Sequence, residues 1–553
     1  MSRALFTSHT TSRTTSRAAL RAVSRPTPRA SSPRLRRAVA FLGLVAVAAF
    51  ASPGLGEPPA PAPSTVPSAP AAQAGSASPS AGASSSASPS AAPAVPASSL
   101  DTAKVRAAAS ELLKDAAKWG GTAGVAVIEI PTGAVVASAN EHAALNPASN
   151  AKLATAAAAL RLLGAEHRFL TGLYGKLQGD RVPALVLRGA GDPTLTSADL
   201  GQMARDLHLR GVRKVGAILV DQSAFDDVFT PPAFDQQPNE WAPFRAPVAA
   251  VAIDAATLEI TVQPTAAGKP ASVRVEPAGI AAVTGTVRTT KKGDPEKLGV
   301  AMSTSDGAVT VKVSGHVPEE GSPLHAWKRL EDPRLAPGLA LRADLAALGV
   351  EVGEVRVGTE KDRALLAAHR SEPLAHILAR LGKDSDNFVA ETVFKAIAAD
   401  RKRPATFEAA AALVSGELRA MGAFEKGCSV TNGSGLFDAN RTTAASTAQL
   451  LRAMHEDTSA GPEYVAQLAI GGVDGTLRSR FRSWAKVRAI RAKTGTLNAV
   501  FALSGYVLPP PGKPALAFAL FVNDAPGKAG AARASIDRVV DAAARAVWGA
   551  PPK

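Results

Sequence analysis

Pro147-Ala148-Ser149-Asn150-Ala151-Lys152, continued by Leu153-Ala154-Thr155-Ala156-Ala157-Ala158-Ala159-Leu160-Arg161-Leu162-Leu163-Gly164, reads as a helix start followed by a buried helix. Pro147 fixes a helical φ just ahead of Ser149, the apolar run suits a core, and Gly164 ends it. Residues three apart share a helix face, so Ser149 and Lys152 can meet. A serine hydroxyl needs a base, and a lysine that ordinarily titrates near ~10.4 serves only where burial or a neighbouring cation disfavours its charge. The Ala- and Leu-rich helix supplies the burial. Its N-terminus supplies backbone N–H groups for an oxyanion.

Ser-x-x-Lys is a weak signal by itself. A second copy, Ser483-Trp484-Ala485-Lys486, lacks both a helix start and an apolar helical run. Two later strings strengthen the first. Ser385-Asp386-Asn387 ends a loop and caps the helix NFVAETVFKAIA; as chemistry, Ser385 is a candidate proton relay between Lys152 and a leaving amine, and Asn387 a candidate to hold Lys152 and a substrate amide. Lys493-Thr494-Gly495 occurs once, on an expected strand. Lys493 can be the cation that depresses Lys152, Lys493 and Thr494 can fix a substrate carboxylate, and Gly495 lets a peptide lie against the strand edge. Ser138-Ala139-Asn140 repeats Ser-x-Asn on a strand end, where it reads as surface polarity.

The 553 residues exceed one ordinary core, and a hydrophobic fraction of 46% can fill more than one. A single cysteine, Cys428, rules out an intramolecular disulfide framework and a Cys-rich zinc module. The nine histidines show no His-Glu-x-x-His spacing, so no metal site and no cofactor is expected. The net charge of +15 invites a nucleic-acid reading, yet residues 1–37 hold nine arginines and no acids; subtracting them leaves +6. With aromatics at 5% and no basic stripe, nucleic acid is not an expected partner.

Arg34-Leu35-Arg36-Arg37 precedes the apolar run Ala38 to Ala51, which is short of the about 20 residues a membrane span needs. The pattern is that of a secretory signal peptide over 1–51, with small residues at Ala49-Phe50-Ala51. No cysteine follows for a lipid anchor, so membrane association is expected to be peripheral or anchor-level at most. A Pro/Ala/Ser/Gly linker over 52–100 cannot bury enough apolar surface to order itself.

From Asp101 the texture is globular. Asp101 suits the N-cap of a helix over Thr102 to Trp119; GVAVIEI and AVVASAN then flank Pro131-Thr132-Gly133 as strand, turn, strand. The C-terminal VRAIRAKTGTL, VFALSGYVL and LAFALFVND repeat that texture before an Ala-rich helix to Trp548, so one sheet built from both chain ends is expected. Residues 182–363 read as inserted accessory material with β-rich pieces such as LEITVQP and AVTVKVSG. The core enzyme domain is then discontinuous, over 101–181 and 364–553.

The three strings in this order resemble the set of penicillin-binding proteins and serine β-lactamases. Over roughly Leu112 to Trp548 the chain resembles the low-molecular-mass class C penicillin-binding proteins, the D-alanyl-D-alanine carboxypeptidases and endopeptidases of peptidase family S13. The separation of 236 positions from Ser149 to Ser385 fits the domains inserted there in this family, and LRGAGDPTLTSADL (Leu187 to Leu200), NGSGLFDANRTT (Asn432 to Thr443) and GGVDGTLRSRF (Gly471 to Phe481) match the family as well. The resemblance implies an α/β (α+β) fold of the penicillin-binding-protein and β-lactamase type, an antiparallel sheet flanked by helices, with inserted β-rich domains. It implies Ser149 as acyl-ester nucleophile, Lys152 as proton acceptor, Ser385 as relay and Asn387 as its partner. Lys493, Thr494 and Gly495 are then substrate-binding, with the N–H groups of Ser149 and Thr496 as oxyanion hole. The expected partners are peptidoglycan stem peptides and cross-links, with β-lactams as covalent inhibitors, in the periplasm or cell-wall space. A β-lactamase or esterase on the same site and a non-catalytic peptidoglycan-binding protein are the rival readings. Asn432, where Asp commonly stands, and Phe437-Asp438, where Ser-Arg is common, depart from the pattern and are expected at the substrate edge; Ser434 is expected to be a loop residue.

Overall fold

The computed structural model describes residues 100–305, 308–361 and 363–551. The expected signal peptide, and the expected linker up to residue 99, lie outside them. The chain opens with α1 (Ala103–Lys118), the hairpin β1 (Thr122–Glu129) and β2 (Val135–Ala139), and a 3-10 turn over Ala148–Asn150 that runs into α2 (Ala151–Leu163). Asp101 stands two residues ahead of α1, its carboxylate accepting from Ala103 N–H at 3.2 Å. The turn of the hairpin needs Gly133, at φ 72°.

Then come β3 (Leu170–Gly175), β4 (Arg181–Arg188), α3 (Ser197–Leu209) and β5 (Lys214–Asp221). A long irregular strap leads to β6 (Thr257–Gln263), β7 (Ser272–Glu276), β8 (Ala281–Thr290), β9 (Lys297–Ser305), β10 (Ala308–Pro318) and β11 (Leu324–Arg329). After α4 (Ala336–Ala347), β12 (Glu351–Val357) and β13 (Ala364–Arg370), the chain turns helical: α5 (Leu374–Ala379), α6 (Asn387–Arg401), α7 (Phe407–Ala420), α8 (Ala444–Glu456) and α9 (Gly461–Ala466). It closes with β14 (Ala469–Ile470), β15 (Ile490–Thr496), β16 (Phe501–Val507), β17 (Leu516–Asn523) and α10 (Ala529–Trp548).

The principal sheet runs β14-β15-β16-β17-β1-β2, antiparallel throughout, and both chain ends build it as the sequence texture requires. Thr122 pairs with Asn523 and Glu129 with Leu516. Every residue of β16 and β17 is buried, which is why FALSGYV and LAFALFVN show no alternation. One face packs on α1 and α10 through Leu112, Val539, Phe518 and Leu520. The other meets α8 through Ala448, with Ala126, Ala502 and Phe521. Beside this sheet, α2, α6 and α7 form a helical core in which Ala156 to Leu160 of α2 are all buried.

The inserted stretch is β-rich, as expected, and also carries the helices α3 and α4. Its largest sheet is mixed and five-stranded, β12-β5-β4-β3-β13, with parallel β12/β5 and β4/β5 pairs and the helices α3 and α4 packed beside it. Parallel neighbours need crossover connections, and α3 and α4 supply them. Two three-stranded sheets, β8-β10-β9 and β11-β6-β7, complete it. Because β3 and β13 belong to the mixed sheet, the expected junctions at 181/182 and 363/364 fall inside or beside one continuous ladder. The strap after β5 returns to the helical core, where Phe225, Ala246, Val248 and Ala249 share one apolar cluster with α2 and α6.

A buried ion pair fixes that strap. Lys395 of α6 has no exposed side-chain surface and donates to Asp226 and, at 2.7 Å, to the Val228 carbonyl, between the rings of Phe225 and Phe407. Asp226→Ala strands this ammonium and is expected to lower the unfolding free energy by about 3 kcal/mol in a urea titration. Lys395→Met, which keeps the apolar stem and leaves only a partly exposed aspartate behind, is expected to cost less.

Candidate active site

Ser149 lies in the 3-10 turn at the mouth of α2, half-buried, while Lys152 one turn on has no solvent contact. The Lys152 amine has three oxygen partners. They are Ser149 Oγ at 3.1 Å, Asn387 Oδ1 at 2.7 Å and the Ser434 carbonyl at 2.8 Å. A neutral amine has two hydrogens and one lone pair; two carbonyl-type acceptors take the hydrogens and leave the lone pair facing the Ser149 hydroxyl. Burial pulls the Lys152 pKa down to about 7, against the Glu391 and Asp386 carboxylates, which favour the charged form. That places the base where it can take a proton near neutrality.

Ser385 follows a wide helical turn and sits in the left-handed region at φ 62°. The helix cap is its neighbour: Asp386 accepts from Val389 N–H at 3.1 Å, leaving the Ser385 hydroxyl free to accept from Lys493 Nζ at 2.8 Å. Lys493 is also fully buried, and its amine donates to the Thr494 carbonyl at 2.7 Å. Burial first, and then the charge of Lys152, depress its pKa well below the usual lysine range. Thus each of two buried lysines of lowered pKa holds one of the two serines. The Thr494 hydroxyl, which bonds Thr476 at 2.9 Å, is more exposed than Lys493.

Asn387 bonds the strap as well as Lys152. Its Nδ2 is given to the Phe244 carbonyl of the strap at 2.9 Å, which fixes the amide so that Oδ1 faces Lys152. The outer edge of β15 is open, since β14 pairs only with Arg491 and Ala492, and Lys493 to Thr496 have no strand neighbour there among the described residues. Gly495 is required: a Cβ would stand 2.8 Å from both the Asn150 amide nitrogen and the Pro147 carbonyl.

Asn432 is not at the substrate edge. It is buried, accepts from Gly435 N–H at 2.9 Å, donates to the Pro232 carbonyl of the strap at 3.0 Å, and bonds Asn440; its task is to hold the 432–440 loop in shape. Phe437 and Asp438 do face open space. With Asn146, Phe244, Leu497 and Asn498 they line a cleft of about 510 Å³, and Asp438 accepts from Arg441 at 2.6 Å and Asn146 at 3.1 Å. Ser434 is a buried loop residue: its carbonyl accepts from Lys152, while its hydroxyl bonds Glu391 and accepts from Leu436 N–H at 3.2 Å. The duplicate strings stay apart from this constellation: Ser138 lies on β2 opposite Ala126, and Ser483 sits in a 3-10 turn anchored by buried Trp484.

Sequence reading missed Glu391, Thr155, the Ser434 carbonyl and the Phe244 carbonyl. Glu391 is fully buried and takes the N–H groups of Gly433 and Ser434; Thr155 donates to the Gly433 carbonyl. A signal existed for Glu391, an acid four residues after Asn387 set among Phe388, Val389, Ala390, Val393 and Phe394.

A serine backed by a buried low-pKa lysine, a second serine tied to a second lysine, and an open strand edge beside both define an active-serine acyl-transfer site. The model of the D-Ala-D-Ala carboxypeptidase 3 (S13) family matches residues 105–545, and the chain belongs to that family. It is similar to the D-alanyl-D-alanine carboxypeptidase of an Actinomadura species, 33% identical over 452 residues that cover 77% of this chain and 82% of that protein. The solved structure of penicillin binding protein 4 from Haemophilus influenzae superposes with a TM-score of 0.66 at 24% identity, over 78% of this chain and 98% of that one. The structure of that protein complexed with a novel β-lactam gives 0.61 at 25% identity over the same shares. Among the described residues no helix is long and apolar enough to cross a membrane.

Because Lys152 titrates near 7 by burial, acylation by a β-lactam is expected to rise with pH as Lys152 loses its proton, with the ascending limb centred near 7. Stopped-flow acylation from pH 5 to 9 measures it. A rate with no ascending limb between pH 5 and 9 would show that a lysine titrating near 7 is not the base. Gly495→Ala is expected to slow acylation at all pH values and to leave that midpoint in place, since it moves the strand edge and adds no charge.

Proposed function

We propose that this serine-type D-Ala-D-Ala peptidase cleaves peptidoglycan peptides through an acyl ester on Ser149. Lys152 takes the Ser149 proton as Oγ attacks the carbonyl carbon, and the N–H groups of Ser149 and Thr496 receive the oxyanion. The proton passes by way of Ser385 to the amine nitrogen, the C–N bond breaks, and the D-centred amine leaves. Water then adds to the ester carbonyl as Lys152 takes its proton; the C–Oγ bond breaks, Lys152 returns the proton to Ser149 Oγ, and the shortened peptide leaves as its carboxylic acid. The observation that carries the reading is the Lys152 amine held between Ser149 Oγ, Asn387 and the Ser434 carbonyl.

Lys493 and Thr494 supply hydrogen-bond donors that fix a substrate carboxylate. The open edge of β15 can take a peptide as an added strand, with Gly495 allowing close approach. Both a terminal D-alanine and a D-centred cross-link end in such a scissile amide, so carboxypeptidase and endopeptidase action share the site. β-Lactams acylate Ser149 as mimics of that amide, a reading supported by the β-lactam complex of the Haemophilus influenzae relative. The sequence pattern of Arg34 to Ala51 supports an exported enzyme working in the periplasm or cell-wall space.

A fluorescent penicillin is expected to label the wild type and not Ser149→Ala. Mass analysis of defined monomeric and cross-linked muropeptides is expected to show loss of D-alanine, cross-link cleavage, or both. Equal labelling of the two proteins, or unchanged muropeptides beside rapid penicillin hydrolysis, would overturn the reading.

A further inference from the structure

We infer that Glu391 is a positioning residue for the Lys152 base, acting through the Gly433–Ser434 peptide and through its own charge. The inference rests on the reading of Lys152 as the proton acceptor. Its basis is a closed set of buried contacts. Glu391 Oε2 accepts from Gly433 N–H at 3.0 Å and Oε1 from Ser434 N–H at 2.8 Å. On the other side of that peptide, Thr155 Oγ1 donates to the Gly433 carbonyl at 2.8 Å. The next carbonyl, of Ser434, is thereby aimed at Lys152 Nζ, 2.8 Å away.

Gly433 has no room to move. A Cβ there would meet Phe394 Cβ at 2.6 Å and the Ala390 carbonyl at 2.7 Å, so the loop lies directly on α6. Burial raises the Glu391 pKa, while the Ser434 hydroxyl, the Gly433 and Ser434 N–H groups and the charge of Lys152 all favour its ionised form. Glu391 and Asn387 are four residues apart on α6, so one helix face delivers both the direct contact to Lys152 and the indirect one.

The consequence is twofold. Loss of the carboxylate frees the Ser434 carbonyl and with it the lone-pair direction toward Ser149, which slows acylation. It also removes the nearest negative charge, so Lys152 releases its proton more easily and its pKa falls. The charged groups facing Lys152 are Glu391 and Asp386 on the α6 side and Lys493 from β15. Residues 432–435 of the loop, Asn-Gly-Ser-Gly, bring no titratable side chain.

Glu391→Gln keeps the size and removes the charge. Its β-lactam acylation rate is expected to fall by about a hundredfold, the scale of a misplaced catalytic group, and the ascending limb of its pH profile to move about one unit toward acid. Glu391→Asp, which keeps the charge and cannot span both N–H groups, is expected to lose rate with its midpoint unmoved. A Glu391→Gln protein that melts like the wild type and acylates at the wild-type rate, or loses rate with an unmoved midpoint, overturns the inference. Should Glu391→Gln not fold, Thr155→Val decides: a rate several-fold below wild type supports the clamp on the Gly433–Ser434 peptide, and an unchanged rate overturns it. A wild type that penicillin does not label at Ser149 would instead sink the reading of the site itself, so the two failures are distinguishable.

Discussion

A lysine amine with no solvent contact must find all its hydrogen-bond partners inside the protein, and the arrangement around Lys152 follows from that demand. Its three oxygen partners suit both protonation states. As an ammonium, Lys152 donates to Ser149 Oγ, Asn387 Oδ1 and the Ser434 carbonyl. As an amine, it keeps the two carbonyl-type bonds and accepts from the serine. Proton transfer between Ser149 and Lys152 therefore needs no change of partners, and a site that need not reorganise is one in which charge movement is cheap. Each partner arrives on a different segment: α2 brings the serine, α6 the asparagine, and the 432–435 loop the carbonyl.

The residues between Ser149 and Ser385 are not an appendage to this site. Their irregular strap buries Phe225, Ala246, Val248 and Ala249 among the helices that carry the catalytic strings. It also gives the Phe244 carbonyl to Asn387 and the Pro232 carbonyl to Asn432. An asparagine amide can present oxygen or nitrogen with little difference in shape, and the Phe244 carbonyl decides between them. The insertion thereby sets which atom of Asn387 faces Lys152.

Side-chain chemistry was readable in the sequence to the extent that it depends on residue type and local spacing. Ser149 and Lys152 share a helix face, and β16 and β17 carry unbroken apolar runs, so the base pair and the central sheet could be foreseen. The Ser434 and Phe244 carbonyls could not, because every residue has a carbonyl and only the fold says where it points. Asn432 misled for the opposite reason: its polar side chain suggests a place at the substrate, yet its amide is consumed by Gly435, Pro232 and Asn440. The mixed sheet of the insertion was hidden because apolar alternation reports which face is buried and is silent on which strand lies alongside, parallel or antiparallel.

Helix α6 ties these parts together. Asn387, Glu391 and Lys395 recur every four residues, so they line one face at intervals of about 6 Å, four residues at 1.5 Å each. Around them Phe388, Val389, Ala390, Val393, Phe394 and Ile397 are buried, which locks the helix in place by packing. The three polar groups each reach a different segment: Lys152 of α2, the Gly433–Ser434 loop, and Asp226 of the strap. Moving α6 by a fraction of an ångström would disturb the base, the loop that orients it and the insertion together. A buried amphiphilic ladder of this kind costs stability at every polar rung unless each is matched, and here each is matched by a group from a different segment. The helix is thus a rigid ruler for the site, and its apolar packing is what gives the ruler its accuracy.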